Sequence, residues 1–403
     1  MIFNKYRLED ITDKIGDGIH GTPEYDDNGD FYFVNGNNLV YGDIVFKNDT
    51  KRINEEQYLK NKRNLNKNTL LVSINGTLGN VAKYNNEKII LGKSACYINV
   101  KDEYNVDYVY FVFESPKFKK YLQYGANGTT IKNVPLSAIR NYEISIPSKE
   151  NQDKIVKILK SIEDKIKLNN KINNNLYEFN NKLFEEKILN NAEKDDWEEY
   201  LLSDISKMIN GYSYKGNELV EKSNIGMATI KNFERTGGFK LDGFKDIVPQ
   251  KCKSDHYVKP FEILVACTDL TQNADIIGNA IMLLNNANYD EIIMSMDLVK
   301  LIPITDIVNN YMLYAIVNSK DFKNFALRYK SGTTVLHLNK NCFKEYTIKL
   351  PNYNTIKDLS KVFEGNYKKI SQIVVENIKL SQLRDALLPK LMNGEIDLDN
   401  IEI

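Results

Sequence analysis

The chain has 403 residues, 42% of them hydrophobic, with 54 lysines and arginines balancing 54 aspartates and glutamates. That length allows two or three domains, and no apolar run approaches the roughly 18 residues that a membrane span needs. A net charge of zero counts against a free-standing nucleic-acid binder, whose domains are usually basic, although local basic patches and partner subunits can supply phosphate contacts.

In chain order, residues 1–149 read as a mixed α/β globule. Short β-rich runs at 69–74, 88–91 and 142–146 are separated by Gly/Asn turns, and 106–124 carries apolar residues at helical spacing. Residues 150–192 differ in kind, because 151–189 contain neither proline nor glycine. One heptad register puts Ile155, Ile162, Asn169, Leu176 and Leu183 at its a positions and Ile158, Lys165, Ile172, Phe179 and Glu186 at d. Such a stripe predicts a long helix seeking a helical partner. Residues 193–352 form a second globule with its own helix at 308–329. Residues 353–403 carry a second heptad stripe, with Leu359, Asn366, Ile373, Leu380 and Leu387 at a, and Val362, Lys369, Glu376, Leu383 and Lys390 at d. Ile370, Val374 and Ile378 widen that face, and Asn393-Gly394 supplies a stop signal. Each helix has an asparagine at an a position, which can set register at some cost in stability.

These four segments are a tandem repeat. Tyr6-Arg7-Leu8-Glu9-Asp10-Ile11 matches Tyr200-Leu201-Leu202-Ser203-Asp204-Ile205 at an offset of 194, and 69–73 matches 263–267 at the same offset. Gly79-Asn80 matches Gly278-Asn279 at 199, and Ser115, Gly128-Thr129-Thr130 and Ile144 through Pro147 match at 204. Six blocks in the same order define an A-B-A′-B′ architecture with two short insertions in the second copy. The simplest expectation is an α+β fold: two mixed α/β domains joined by two long antiparallel coiled-coil helices, with pseudo-twofold internal symmetry. Helices of about 35 residues would extend roughly 50 Å at about 1.5 Å per residue. That length corresponds to about 15 base pairs at roughly 3.4 Å each, so the geometry suggests a split target with an unread spacer.

The residues resemble the specificity subunits of type I restriction-modification systems over nearly the whole chain. Gly16-Asp17-Gly18-Ile19-His20-Gly21-Thr22-Pro23 is similar to the family's DG-x-H-x-TP opening. Leu70 through Gly79 resembles its D-I-L-x-S-x-x-G-T-x-G strand and turn, and Ile144 through Pro147 with Gln152 and Ile155 resembles the entry to its spacer helix. Leu383 through Ile396 is very similar to its C-terminal helix end. The second copy departs from the pattern by lacking the DG-x-H opening and by replacing the G-T-x-G turn with the longer segment 268–278. The resemblance implies that the globules are target recognition domains and the helices are spacers on which two methyltransferase subunits dock, joined by restriction and translocase subunits. Double-stranded DNA is then the ligand. S-adenosylmethionine, ATP and magnesium belong to the partners, with none in this chain.

Other chemistry is thinly represented. Gly16-x-Gly18-x-x-Gly21 matches the dinucleotide fingerprint in letters, but no βαβ unit surrounds it. Asn133-Val134-Pro135-Leu136 and Pro351-Asn352-Tyr353 fall short of the motif with which a methyltransferase stacks a flipped base. A P-loop is missing. His20, His256 and His337 are too dispersed to propose a metal site, and no catalytic residue is assigned. Cys96, Cys252, Cys267 and Cys342 form no C-x-x-C pair, and the segment Met1 to Arg7 shows no signal-peptide pattern. Both point to reduced thiols and a cytoplasmic protein.

Candidate DNA contacts fall in five places. Lys51, Arg52, Lys62 and Arg63 lie in a basic stretch suited to phosphates and guanine edges. Thr77 and the pair of turns holding Gly128, Thr129, Thr130 and Lys132 in one copy, and Lys330, Thr333 and Thr334 in the other, offer hydroxyls and free N–H groups. Lys231, Asn232 and Arg235 mix bases with an amide that could meet an adenine edge. For each, the alternative is an ordinary solvated loop or β-turn. The apolar heptad residues Ile155, Ile158, Ile162, Ile172, Leu176, Phe179, Leu183, Leu359, Val362, Ile373, Leu380, Leu383 and Leu387 are assigned to the spacer-helix interface. Competing functions are a fragment of a fused restriction-methyltransferase, which would need a methyltransferase domain for which the repeats leave no room, and a coiled-coil scaffold with no DNA role.

Overall fold

A computed structural model describes residues 2–128, 132–235, 238–271, 273–285, 289–396 and 398. The chain divides into two compact units, one formed by residues 1–166 with 380–403 and the other by 167–379.

In the first unit, Thr12–Asp17, Ala95–Val100, Thr69–Ser73 and Val81–Lys83 form an antiparallel sheet in that spatial order. Ala95–Val100 and Thr69–Ser73 are buried at every position, so they read as unbroken apolar runs, without alternation. Of the three polar exceptions, Thr69 and Asn99 satisfy each other, Thr69 Oγ1 donating to Asn99 Oδ1 at 2.8 Å, and Ser73 Oγ accepts from Asn80 N at 2.8 Å. A smaller sheet pairs Phe31–Val34 in parallel with Ile89–Leu91 and antiparallel with Arg52–Ile53. Asn4–Arg7 pairs with Glu143–Ile146, bringing the start of the globule to its end.

The second unit repeats this plan. Ser206–Asn210, Leu298–Pro303, Ile263–Ala266 and Ala280–Met282 form the main sheet, Ile225–Ala228 and Glu291–Met294 the parallel pair of the smaller one, and Glu198–Leu201 pairs with Thr347–Leu350. Even a close backbone approach is kept. A Cβ on Gly18 would lie 2.0 Å from the Leu91 carbonyl oxygen, and one on Gly211 would lie 1.9 Å from that of Ser295. Gly18 therefore serves sheet packing, which gives that one glycine of the fingerprint-like run a mechanical explanation.

Each predicted domain helix is split in two. Val106–Glu114 is followed by Pro116–Gly125, and Asn310–Val317 by Lys320–Leu327. Ser115 and Ser319 cap the second piece, their hydroxyls accepting from Phe118 N and Phe322 N. A serine cap starts a new helix at the point where continuous apolar spacing suggests one rod, and in the first copy Pro116 at the first position reinforces the break.

The long helices are Lys149–Phe184, of 36 residues, and Tyr353–Met392, of 40. Each contributes to both units. Inside the second unit they run antiparallel. Asn169 Nδ2 donates to Glu376 Oε2 at 2.9 Å and Asn377 Oδ1 at 2.8 Å, whereas Asn366 Nδ2 donates to Asn180 Oδ1 at 2.6 Å, so partners ascend one helix and descend the other. Inside the first unit, Ile155, Val156 and Leu159 share a core with Leu388 and Leu391.

The seam differs from the heptad reading. On the first helix Ile155, Leu159, Ile162, Asn169, Asn173, Asn180 and Phe184 are buried, while Phe179 is 50% exposed. On the second the buried face runs through Ile356, Ser360, Phe363, Tyr367 and Ile370, one residue removed from the expected a and d positions, and Val362 and Leu383 are 41% and 48% exposed. Apolar counting misses this because asparagines and a serine occupy the seam while three large apolar residues stand outside it. Of the other assigned residues, Ile373 is buried, and Ile172 and Leu380 are half-buried. Ile158 and Leu387 pack on the first core, and Leu176, Leu183 and Leu359 on the second.

Candidate nucleic-acid interface

The basic stretch of the first unit sits on aromatic rings. Lys51 Nζ lies 5.6 Å from the Tyr25 centroid and the Arg52 guanidinium 5.2 Å from that of Tyr32. Tyr32 in turn stacks on Phe46 at 4.0 Å and Phe31 on Tyr58 at 4.2 Å. A short helix, Glu55–Asn61, capped by the Asn54 side chain on Gln57 N, ends with Lys62 over Tyr58. Rings beneath exposed cations hold the charges in place while leaving their heads in solvent. Arg63 behaves differently. Its Nε donates to the Asp17 carbonyl at 3.1 Å and its Nη2 to that of Gly18 at 3.2 Å. It braces the 17–18 backbone, whereas Lys51, Arg52 and Lys62 are exposed.

Far-apart turns of the first unit converge. Gly76 N donates to the Lys132 carbonyl at 3.1 Å, and isolated bridges link Asn75 and Asn127 to Asn133. Thr77, Gly128 and Lys132 are all exposed, and Gly128 has a φ of 102°, a conformation that suits glycine. Thr129 and Thr130 lie outside the described residues. Ile74 ties three segments together, its N–H donating to the Ser94 carbonyl at 3.0 Å and its carbonyl accepting from Val134 N at 2.8 Å. Ile19 N reaches the Leu91 carbonyl at 2.8 Å. The result is a recess of about 350 Å³ with Asp17, His20, Asn75, Lys93 and Asn133 among its lining residues. His20 Nε2 is 2.9 Å from Asp17 Oδ2.

In the second unit the equivalent turns also meet, as a three-stranded sheet of Thr268–Asp269, Leu336–Leu338 and Lys330–Ser331. Lys330, Thr333 and Thr334 are exposed there. The inserted segment is closed on itself. Asp269 accepts from Thr271 N, Thr271 Oγ1 and Ile276 N at 2.8, 2.9 and 2.7 Å. Burial alone would raise its pKa, yet these hydrogen bonds hold it below the usual carboxylate value. Lys323 donates to the carbonyls of Ile277 and Asp275 and to Asn279 Oδ1, and burial pushes its pKa down to about 8. Lys231 and Arg235 are exposed, the latter 4.0 Å from Asp275. Asn232 is fully buried, Oδ1 accepting from Thr229 N at 2.9 Å and Nδ2 donating to the Lys240 carbonyl at 2.8 Å. It therefore staples a loop, and the expectation that it reaches an adenine edge is corrected.

The joint between globule and helix differs between copies. In the first unit Asp107 meets Lys83 at 2.8 Å and Lys160 at 3.3 Å, and Tyr110 Oη donates to Glu163 at 3.2 Å. At the offset of 204 the second unit has Tyr311, Tyr314 and Tyr367 in place of Asp107, Tyr110 and Glu163. There Tyr367 packs on Tyr177, Tyr311 and Tyr314 with ring centroids 5.9, 6.3 and 5.2 Å apart. A cleft of about 870 Å³ opens beside the charged joint, with Glu163, Arg384 and Lys120 on its walls.

Comparison with known proteins decides the family. The profile described as Type I restriction modification DNA specificity domain matches residues 3–178 and again 194–376. The chain belongs to this family. The two matches coincide with the two copies of the repeat, so a specificity domain is present twice. The chain is 23% identical over 356 residues to the Type I restriction enzyme MjaIX specificity subunit of Methanocaldococcus jannaschii, covering 83% of this chain and 79% of that one. A 65-residue stretch, 16% of this chain and 14% of the relative, is 37% identical to the HindI specificity subunit of Haemophilus influenzae. In fold, it is similar to the crystal structure of the type I restriction-modification S subunit from M. genitalium, with a TM-score of 0.54 at 19% identity over 97% of this chain and 96% of that one.

The lining of the recess was only partly legible in the sequence of this type I specificity subunit. His20, Asn75, Lys93 and Asn133 were absent from the candidates because they belong to four segments that only folding unites. The available signal was the shared Gly/Asn turn chemistry at 75–76, 127–128 and 332. Cys96, Cys267 and Cys342 are buried and all four thiols are unbridged. Among the described residues no helix is long and apolar enough to cross a membrane.

Proposed function

We propose that this specificity subunit reads a bipartite, asymmetric target, one half with each recognition unit. We further propose that its two long helices dock methyltransferase subunits and restriction subunits in the cytoplasm. The observation that carries this reading is the repeat itself, two copies of one plan whose matching turns differ: a polar recess in the first and a self-closed three-stranded cap in the second. Dissimilar surfaces on a duplicated scaffold suit dissimilar half-sites. Exposed Phe179, Val362 and Leu383 on the long helices give docking partners apolar purchase beyond the internal seam. In this reading the chain performs no catalysis. S-adenosylmethionine, ATP and magnesium act on the partner subunits, and the chain contributes placement on double-stranded DNA.

The test is a domain exchange. Replacing residues 1–147 with those of a relative that reads a different target should change one half of the methylated sequence and leave the other intact. The purified chain alone should transfer no methyl group from labelled S-adenosylmethionine. A change in both halves, or methyl transfer by the isolated chain, refutes the proposal.

A further inference from the structure

The recess of the first unit is built with unusual rigidity for a loop cluster. Arg63 clamps the carbonyls of Asp17 and Gly18 from behind. Ile74 is bonded through its backbone on both sides, and Asn133 is bridged to both Asn75 and Asn127. The polar groups it presents are therefore preorganised, as a recognition site requires. Their chemistry is mixed. A phosphate seat would offer donors only, whereas this one includes the Asp17 carboxylate and two amide side chains. Asn75 Nδ2 donates to Asn133 Oδ1 at 3.3 Å. That bond leaves Asn75 Oδ1 able to accept and Asn133 Nδ2 able to donate, side by side. An adenine presents the complementary pair in the major groove, N6–H as donor and N7 as acceptor.

We propose that this recess is the base-reading pocket of the first recognition unit, with Asn75 and Asn133 jointly seating one adenine edge and His20 and Lys93 flanking it. The pocket rests on the DNA-reading function proposed above. It makes the two amides specificity-determining residues, separate from Lys51 and Arg52, whose ring-backed charges supply affinity without sequence preference. The second unit has no counterpart among its described residues, since Asp269 and the 271–279 segment bond one another there. A two-residue reader also differs from the usual single bidentate amide. Either substitution should break it, because each residue supplies one of the two bonds.

The experiment is methylome sequencing of cells carrying the complete system with N75A, N133A or N133D. Each variant is expected to lose preference by about tenfold at one adenine position in one half of the target, with the other half read as before. The salt slope of duplex binding by the assembled complex should stay at its wild-type value. Unchanged preference at every position in all three variants overturns the pocket. So does a uniform loss of affinity across sequences with a shallower salt slope, which would make the recess a phosphate seat. If an alanine variant abolishes methylation altogether, N133D with a wild-type melting curve decides, because it keeps the side-chain shape and the acceptor that Asn75 bonds, and removes the donor assigned to N7. The parent reading fails separately, if the wild-type complex binds its methylated target sequence no better than scrambled duplex.

Discussion

Asn232→Ala separates a structural brace from a DNA contact. Asn232 is fully buried and holds two backbone groups, the N–H of Thr229 and the carbonyl of Lys240. Its neighbours leave no room for rearrangement. A Cβ on Gly243 would stand 2.3 Å from Asn232 N, and Thr229 Oγ1 already donates to the Gly243 carbonyl at 3.1 Å. Truncation orphans one buried donor and one partly buried acceptor, at about 1–3 kcal/mol for the first and the low end of that range for the second. The sum is about 2–4 kcal/mol. For a cooperative unit of roughly 150–250 residues, melting falls by about 2–4 °C per kcal/mol, so N232A should melt about 4–16 °C lower. Asn232→Asp should be no milder, since it keeps the acceptor, loses the donor and buries a charge. Thermal unfolding followed by circular dichroism reads the effect, and methylome sequencing at permissive temperature should return the wild-type target. A variant that melts with the wild type yet changes the base preference of one half-site would refute the brace and restore Asn232 as a reader.

Four other outcomes follow from the geometry. Burial raises the pKa of Glu163 despite the Tyr110 hydroxyl and Arg384, so the folded state favours its protonated form and loses stability as pH climbs through that raised value. E163Q should therefore gain melting temperature over wild type at neutral pH, and the gain should vanish below the ordinary carboxylate range. Burial lowers Lys323 from 10.5 to about 8. The unfolded chain then holds more protons between those values and wild-type stability rises relative to K323M across that window, which parallel melts at pH 7.5 and 10 would detect. Tyr367→Ala should cost about 3–5 kcal/mol, because it empties the centre of a buried aromatic cluster. Phe179→Ser and Leu383→Ser should leave the melt of the isolated chain within about 0.5 kcal/mol while weakening retention of methyltransferase subunits in a pull-down.

Much of this protein is legible in its sequence because the relevant physics is local. Uninterrupted helix-forming stretches make the long helices, the 194 to 204 offsets expose the repeat, and apolar runs mark the buried strands 69–73 and 89–91. Serine caps at 115 and 319 were also present to be read, although continuous apolar spacing concealed them. The seam was not legible in the same way. Heptad counting ranks residues by apolarity, whereas burial on these helices is shared between the opposite helix and the globules, so Asn180 and Ser360 go in beside the expected Asn169, and Phe179 and Leu383 stay out.

The site follows the same division. Composition and motif place basic residues and glycine turns on the map, but the rings under Lys51 and Arg52, Tyr25 and Tyr32, come from more distant sequence, Tyr32 through strand pairing. That Arg63 and Asn232 are spent on backbone groups, and that residues 17–20, 74–75, 93 and 133 share one recess, depends on strand pairing between distant segments. The sequence by itself determined the repeat, the helices and the strands, since caps, periodicity and propensity act over a few neighbours. Only the tertiary structure decided which polar groups remain available to a ligand, because each hydrogen bond made across the fold removes a donor or acceptor that composition still counts as free.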